Sequence, residues 1–182
     1  MVARRILTIG MGAAILLALA GCTSLGPTPV RKDGRYCYPT GSRTRSRRTC
    51  TSGMVPSAAV EEDARRLIAD SEALTVLVSR LSLGDTHRVI EVMADDRAVA
   101  ATVPASLIRL RMDPGLHTLA VTWDSQRSEA LVEGSTGEVR AMELVGTTGI
   151  WGHRFRWRVL TVDKLRDRIT MARLVADVDL RL

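Results

Sequence analysis

Three regimes of hydrophobic and polar spacing follow one another along the chain. Residues 6–21 form a largely apolar, uncharged run, residues 23–56 show no apolar period, and periodic segments begin near residue 57. Val60, Ala64, Leu67 and Ile68 fall on one face at helical spacing, behind Ser57 as a capping residue. Glu61, Glu62 and Asp63 occupy the first turn, where carboxylates favour the positive end of the helix dipole, so a helix of about three turns is predicted. From residue 73 the period falls to two. Residues 73–78 and 88–93 read as strands, Asp95-Asp96 as a tight turn, and residues 98–100 and 107–111 as further strands. In Asp113-Pro114-Gly115, Pro and Gly stand where a type II turn wants them, which predicts residues 116–123 as the partner strand of 107–111. Strands at 129–133 and 138–144 follow, separated by Gly134-Ser135-Thr136-Gly137.

The clearest alternation runs from Trp151 to Val159. It sends Trp151, His153, Phe155, Trp157 and Val159 to one face and Arg154, Arg156 and Arg158 to the other. Leu165, Ile169 and Ala172 then return to helical spacing, and residues 176–182 alternate again, so a short helix and a closing strand end the pattern. Turn signals every 8–12 residues predict a mainly β domain over 57–182, an antiparallel β-sandwich with short flanking helices. With aromatics at only 3%, its core must be built from Val, Leu, Ile and Ala.

The first apolar run has a different meaning. Arg4 and Arg5 precede it, and it ends in Leu19-Ala20-Gly21-Cys22, which matches the lipobox of bacterial lipoproteins. The resemblance implies a signal peptide over 1–21, cleavage between Gly21 and Cys22, a covalent diacylglycerol on the Cys22 sulfur and a fatty acyl group on its new amine. A transmembrane anchor is the alternative, but Ile6 to Gly21 is 16 residues, short of the roughly 20 a spanning helix needs. Thr23 stands where Asp would signal retention at the inner membrane. The expected address is therefore the cell envelope, lipid-anchored at the periplasmic face of the outer membrane.

Charge sharpens this picture. The net charge of +6 would suit nucleic acid, but residues 31–50 carry seven basic side chains and one acidic, whereas residues 51–182 carry 17 basic and 19 acidic. The basicity belongs to the stretch beside Cys22, and the expected contact is anionic lipid or glycan, with no nucleic acid. Residues 22–56 are predicted to be an irregular lipidated tether rich in Thr, Ser, Gly, Pro and Arg. With Cys22 committed to lipid, Cys37 and Cys50 remain, and export to an oxidising compartment predicts a disulfide loop between them. Thr40 to Arg43 with Arg48 to Cys50 resembles a Thr-Gly-Ser-Arg, Arg-x-Cys pattern of small exported proteins of Gram-negative bacteria, which has no agreed activity. Arg43, Arg45, Arg47 and Arg48 are candidate anion contacts or a solvated, self-repelling tether. Arg154, Arg156 and Arg158 are candidate anion contacts or a solvated outer sheet face.

A second resemblance covers residues 73–175. Asp95-Asp96 and Pro114-Gly115-Leu116-His117-Thr118-Leu119 are similar to the two turns of PEGA-type domains, including an uncharacterised lipoprotein branch. Asp96 departs from that pattern, where Gly is usual. The resemblance implies an immunoglobulin-like sandwich without enzymatic activity and gives His117 a turn-bracing role.

Catalytic chemistry has few candidates. His87, His117 and His153 are spaced apart without the second ligand of a zinc site, so no metal and no cofactor beyond the lipid is expected. Asp177 and Asp179 share a strand face and could converge, although a polar face at a terminus explains them as well. The expected role is a non-catalytic binding or structural module that meets an envelope protein or glycan. The alternative is a catalytic or accessory part of an envelope hydrolase, resting on His117 with Asp113 and Asp124. Palmitate labelling of cells expressing the chain should be lost on Cys22→Ala; labelling that survives contradicts the anchor.

Overall fold

A computed structural model of the protein describes residues 31, 33–42, 45–81, 88–150 and 152–181. The expected signal peptide, Gly21, Cys22, Arg43, His87 and Trp151 lie outside them. In chain order the elements are β1 (Cys37–Ser42), β2 (Arg45–Cys50), α1 (Ala58–Arg65), β3 (Leu74–Arg80), β4 (Ile90–Ala94), β5 (Arg97–Thr102), β6 (Ser106–Met112), β7 (Gly115–Trp123), β8 (Gln126–Gly134), β9 (Val139–Gly149), β10 (Gly152–Leu160), α2 (Val162–Ile169) and β11 (Arg173–Asp179). The protein is a mainly β sandwich with short helices. One sheet has the order β10-β9-β3-β6-β11, the other β5-β4-β7-β8.

Pairing in the four-stranded sheet is antiparallel throughout, as expected. The five-stranded sheet adds two parallel pairs to the antiparallel ones, β3 with β9 and β6 with β11. Parallel neighbours need a long connection rather than a hairpin. α2 is part of one, carrying the chain from β10 at one edge to β11 at the other, roughly 19 Å across four strand spacings. It therefore lies over the outer face of that sheet.

This covering explains β3, whose seven residues are all buried where alternation would leave one face wet. Val76 and Val78 enter the core between the sheets with Ile108, Leu110, Leu119, Val121 and Phe155. Leu77 points the other way, into a second cluster with Leu107, Leu165, Ile169 and Leu174 beneath the two helices. At the helix contact, Arg65 of α1 donates to the carbonyl oxygens of Ile169 and Ala172 at the C-terminal end of α2, where a cation suits the dipole. Glu61, buried under α1, pairs with Arg65 and Arg173.

Several local expectations hold. The Ser57 side chain caps α1 by accepting from the Val60 amide. Asp95 and Asp96 both take positive φ, 47° and 60°, in the two-residue turn between β4 and β5, so Asp serves at the position where Gly is usual. Others need correction. α1 has eight residues, about two turns, because Leu67 adopts φ 55° just beyond it. Leu67 turns inward while Ile68, expected on the same face, is 68% exposed. Asp113-Pro114-Gly115 joins no hairpin: β6 and β7 belong to different sheets, and Gly115, at φ 139°, forms a corner that carries the chain across the sandwich. The hairpin partner of β7 is β8, through Asp124 and Ser125, both at positive φ.

The tether is not irregular over its cysteine pair. β1 and β2 form an antiparallel hairpin, and the Cys37–Cys50 disulfide, S–S 2.02 Å, joins directly opposed residues at its base. The folded body also begins before residue 57, since Tyr36 is fully buried in the main core with Tyr38 and Val55 packed beside it. Leu77→Ala should lower stability by about 3 kcal/mol, and Ile68→Ala by less than about 0.5 kcal/mol, as measured by urea unfolding.

Candidate functional site

The arginines singled out from the sequence meet different fates. On β10, Phe155 points into the core and Trp157 is half-buried, leaving Arg154, Arg156 and Arg158 on the outer face, as the alternation requires. Arg154 and Arg156 are exposed. Arg158 is not available in the same way: it lies 3.2 Å from the carboxylate of Glu143, which is fully buried and also pairs with Arg168 of α2. The alternation in residues 139–144 turns Glu143 away from Met142 and Leu144. Its sequence neighbours gave no sign that two arginines would enclose it, because one comes from β10 and the other from α2. On the β1–β2 hairpin, Arg47 and Arg48 are exposed, and Arg45 lies on β2.

Val159 corrects the inward reading of that strand. It is 73% exposed, whereas Leu160 is buried in the cluster under α2. Beyond Trp157 the two sheet edges splay, and Val159 lines an apolar groove of about 400 Å³ with Leu131, Val132, Val139, Met142 and Val162. Above the splay the sheets are held by two indoles. Trp157 donates to the Ser128 carbonyl at 3.1 Å, and Trp123 donates to the His153 carbonyl at 2.9 Å. Trp123 also meets Phe155 edge to face at 5.1 Å, and the buried Arg80 guanidinium lies 5.2 Å from the centre of the Phe155 ring while donating to Thr102.

His117 sits at the opposite end of β7. Its Nδ1 lies 2.7 Å from the Asp95 carboxylate and its Nε2 lies 2.8 Å from the Asp113 carbonyl oxygen, and both of these oxygens can only accept. The doubly protonated ring satisfies both contacts. Asp95 also accepts from the Thr118 amide, so one His–Asp pair joins the β4–β5 turn to the corner before β7. Burial opposes charge on His117, but the Asp95 and Asp113 contacts outweigh it and raise its pKa above the ordinary value near 6.5. Burial likewise works against the Asp95 carboxylate; His117 and the Thr118 amide prevail and hold its pKa low. Asp124, grouped with His117 in the hydrolase expectation, is at the far end of β7, roughly 24 Å away along the strand, and pairs with Arg88 at 2.5 Å. Those three residues do not form one site.

Asp177 and Asp179 do share a face. Asp177 accepts from Arg109 at 2.8 and 2.9 Å and from Arg111 at 2.9 Å, Arg109 reaches Asp63 of α1 at 2.6 Å, and Arg111 approaches Asp179 at 3.5 Å. Burial would raise the Asp177 pKa, but the two guanidinium groups lower it, so the carboxylate stays ionised. The register that sets β11 parallel to β6 produces this ladder, which ties the last strand to the sheet.

His153 is half-buried, 3.3 Å from the Thr148 hydroxyl. Among the described residues no group of three His, Cys, Asp or Glu side chains could hold a metal ion, and no helix is long and apolar enough to cross a membrane. No family model and no curated protein matches this sequence.

The His117 contacts predict a pH dependence. A raised folded-state pKa means the stabilisation is full below the unfolded value of about 6.5 and is lost as pH rises through the folded value; the depressed Asp95 pKa means loss in acid as that carboxylate protonates. Thermal unfolding followed from pH 6 upward should show the wild-type advantage over His117→Ala, about 1 kcal/mol, shrinking as pH rises. An advantage that is constant or grows with pH contradicts the assignment.

Proposed function

We propose that this chain is an envelope-anchored lipoprotein whose β-sandwich is a non-catalytic binding or structural module in the periplasm. In this reading residues 1–21 are removed, Cys22 carries diacylglycerol and a fatty acyl group, and residues 22–35 lead to the disulfide-closed hairpin and the sandwich. The likeness of residues 73–175 to PEGA-type domains belongs to the same proposal.

The observation that carries it is the pairing of Cys37 with Cys50. The chain has three cysteines, so this bond leaves Cys22 as the remaining thiol, at the position the lipobox prescribes. A disulfide at the base of an arginine-rich hairpin is in keeping with an oxidising compartment outside the cytosol. The module reading draws support from His117, whose ring nitrogens are both engaged in bracing two turns, and from the separation of Asp124 from that ring. It also draws support from the near-neutral composition of residues 51–182, whose 17 basic and 19 acidic side chains supply no net positive charge to attract nucleic acid.

A photo-crosslinking residue placed at Leu131, on the rim of the apolar groove, and activated in whole cells should capture the same envelope protein or glycan in repeated experiments. Recovery of bulk phospholipid alone from that position counts against the module reading.

A further inference from the structure

The registers place several features at one end of the sandwich. Arg80 ends β3 opposite Ser106 at the start of β6, and Arg173, which starts β11, also lies opposite Ser106. Leu144 of β9 pairs beside Arg80, and β9 then runs five residues further to Gly149. The β9–β10 hairpin therefore extends roughly 17 Å past the end of β3, with Trp123 of the facing sheet bonded to His153 just behind its tip. Arg173 donates to the Pro56 carbonyl at 2.9 Å, the Val55 amide donates to Gly34 at 2.9 Å, and the Thr51 amide donates to Tyr36 at 2.9 Å. These bonds bring residues 34–56 to the same end, and with them the side from which the chain enters the fold. The β1–β2 hairpin leaves from there too, its strands paired only with each other.

The projecting hairpin has an unusual surface. Ile150 at its tip is an apolar side chain that is 97% exposed. About 7 Å behind the tip is Arg154, and about 14 Å behind it is Arg156, both exposed on the outer face with no ion pair among the described residues. Further down, Arg158 and Arg168 share the buried Glu143 carboxylate, so on β10 the arginines with no carboxylate partner among the described residues are those nearer the tip. Arg47 and Arg48 of the β1–β2 hairpin are exposed as well. An apolar tip with guanidinium groups behind it, set at the end where the anchored chain enters, matches an anionic bilayer: the aliphatic side chain reaches the acyl boundary while the arginines meet headgroup phosphates.

We propose that the β9–β10 hairpin is a second membrane contact, docking this end of the sandwich on anionic phospholipid through Ile150, Arg154 and Arg156. The inference rests on the anchored-lipoprotein reading for its setting and goes beyond it by fixing an orientation. With the chain held at one point by Cys22 and at another by this hairpin, the opposite end, with His117 and the exposed Leu116, faces away from the leaflet.

The test uses the processed chain from residue 22 with Cys22→Ser, so that no lipid contributes, and vesicles of phosphatidylcholine with or without one third phosphatidylglycerol. Co-sedimentation should show partitioning onto the anionic vesicles that weakens with salt. Arg154→Gln with Arg156→Gln should reduce it roughly 25-fold, from about five-fold per arginine near an anionic surface. Ile150→Ser should also reduce it, and Leu116→Ser, at the far end, should leave it unchanged. These side chains are all exposed, so circular dichroism should be the same for every variant. Failure of the unsubstituted chain to bind anionic vesicles, equal binding to neutral ones, or an equal loss on Leu116→Ser overturns the docking surface. The anchor reading fails separately, if mass spectrometry of the Cys22 peptide from cell envelopes finds no acyl group.

Discussion

The rest of the fold depends on the burial of β3 from both sides. A strand at the centre of a five-stranded sheet can serve two cores only if both faces of that sheet are covered. The four-stranded sheet covers one face and the two helices cover the other. The long connections follow from this constraint, since a parallel neighbour cannot be reached by a tight turn and α2 lies across the sheet in one of the crossings. The buried acids follow as well. Glu61 and Glu143 sit where a helix meets a sheet, away from water, and each is met by two arginines brought from different elements.

The two ends of the sandwich are closed by different chemistry. At one end the His117–Asp95 pair holds two turns together through charged hydrogen bonds. At the other, Arg80, Phe155 and Trp123 stack beneath the projecting hairpin, and the indoles bond across to backbone carbonyls of the facing strand. Cross-sheet indole bonds fix the spacing of two layers otherwise held by non-directional apolar contact. Where they stop, past Trp157, the edges part and the groove beside Leu131 and Val159 opens.

Charge is partitioned in the same spirit. Arginines in the body are mostly matched to carboxylates across strands, as in the Asp63–Arg109–Asp177–Arg111 ladder. Among the described residues the exposed arginines without a carboxylate partner are Arg47 and Arg48 on the β1–β2 hairpin, Arg154 and Arg156 on β10, and Arg97 on β5. Four of these five lie on the two hairpins at the end where residues 34–56 join the fold, so the unmatched positive charge of the described residues is concentrated, though not confined, there.

The local chemistry was legible in the sequence: the Ser57 cap, the Asp95-Asp96 turn, the alternation that turns Phe155 inward and Arg154 outward, and the pairing of Cys37 with Cys50. Each is decided by neighbours within a few residues, or by counting. The hairpin at Cys37–Cys50 escaped because its sequence has no apolar period to mark the strands; backbone pairing, the disulfide and the packing of Tyr38 on the core hold them. Tertiary structure alone decided that β6 and β7 belong to different sheets, that β3 and β9 run parallel, that Ile68 and Val159 face outward, and that Glu143 is enclosed by Arg158 and Arg168. Those outcomes depend on which segments, distant in sequence, arrive on each face of a sheet, and a period of two records that a strand has two faces without recording what covers them.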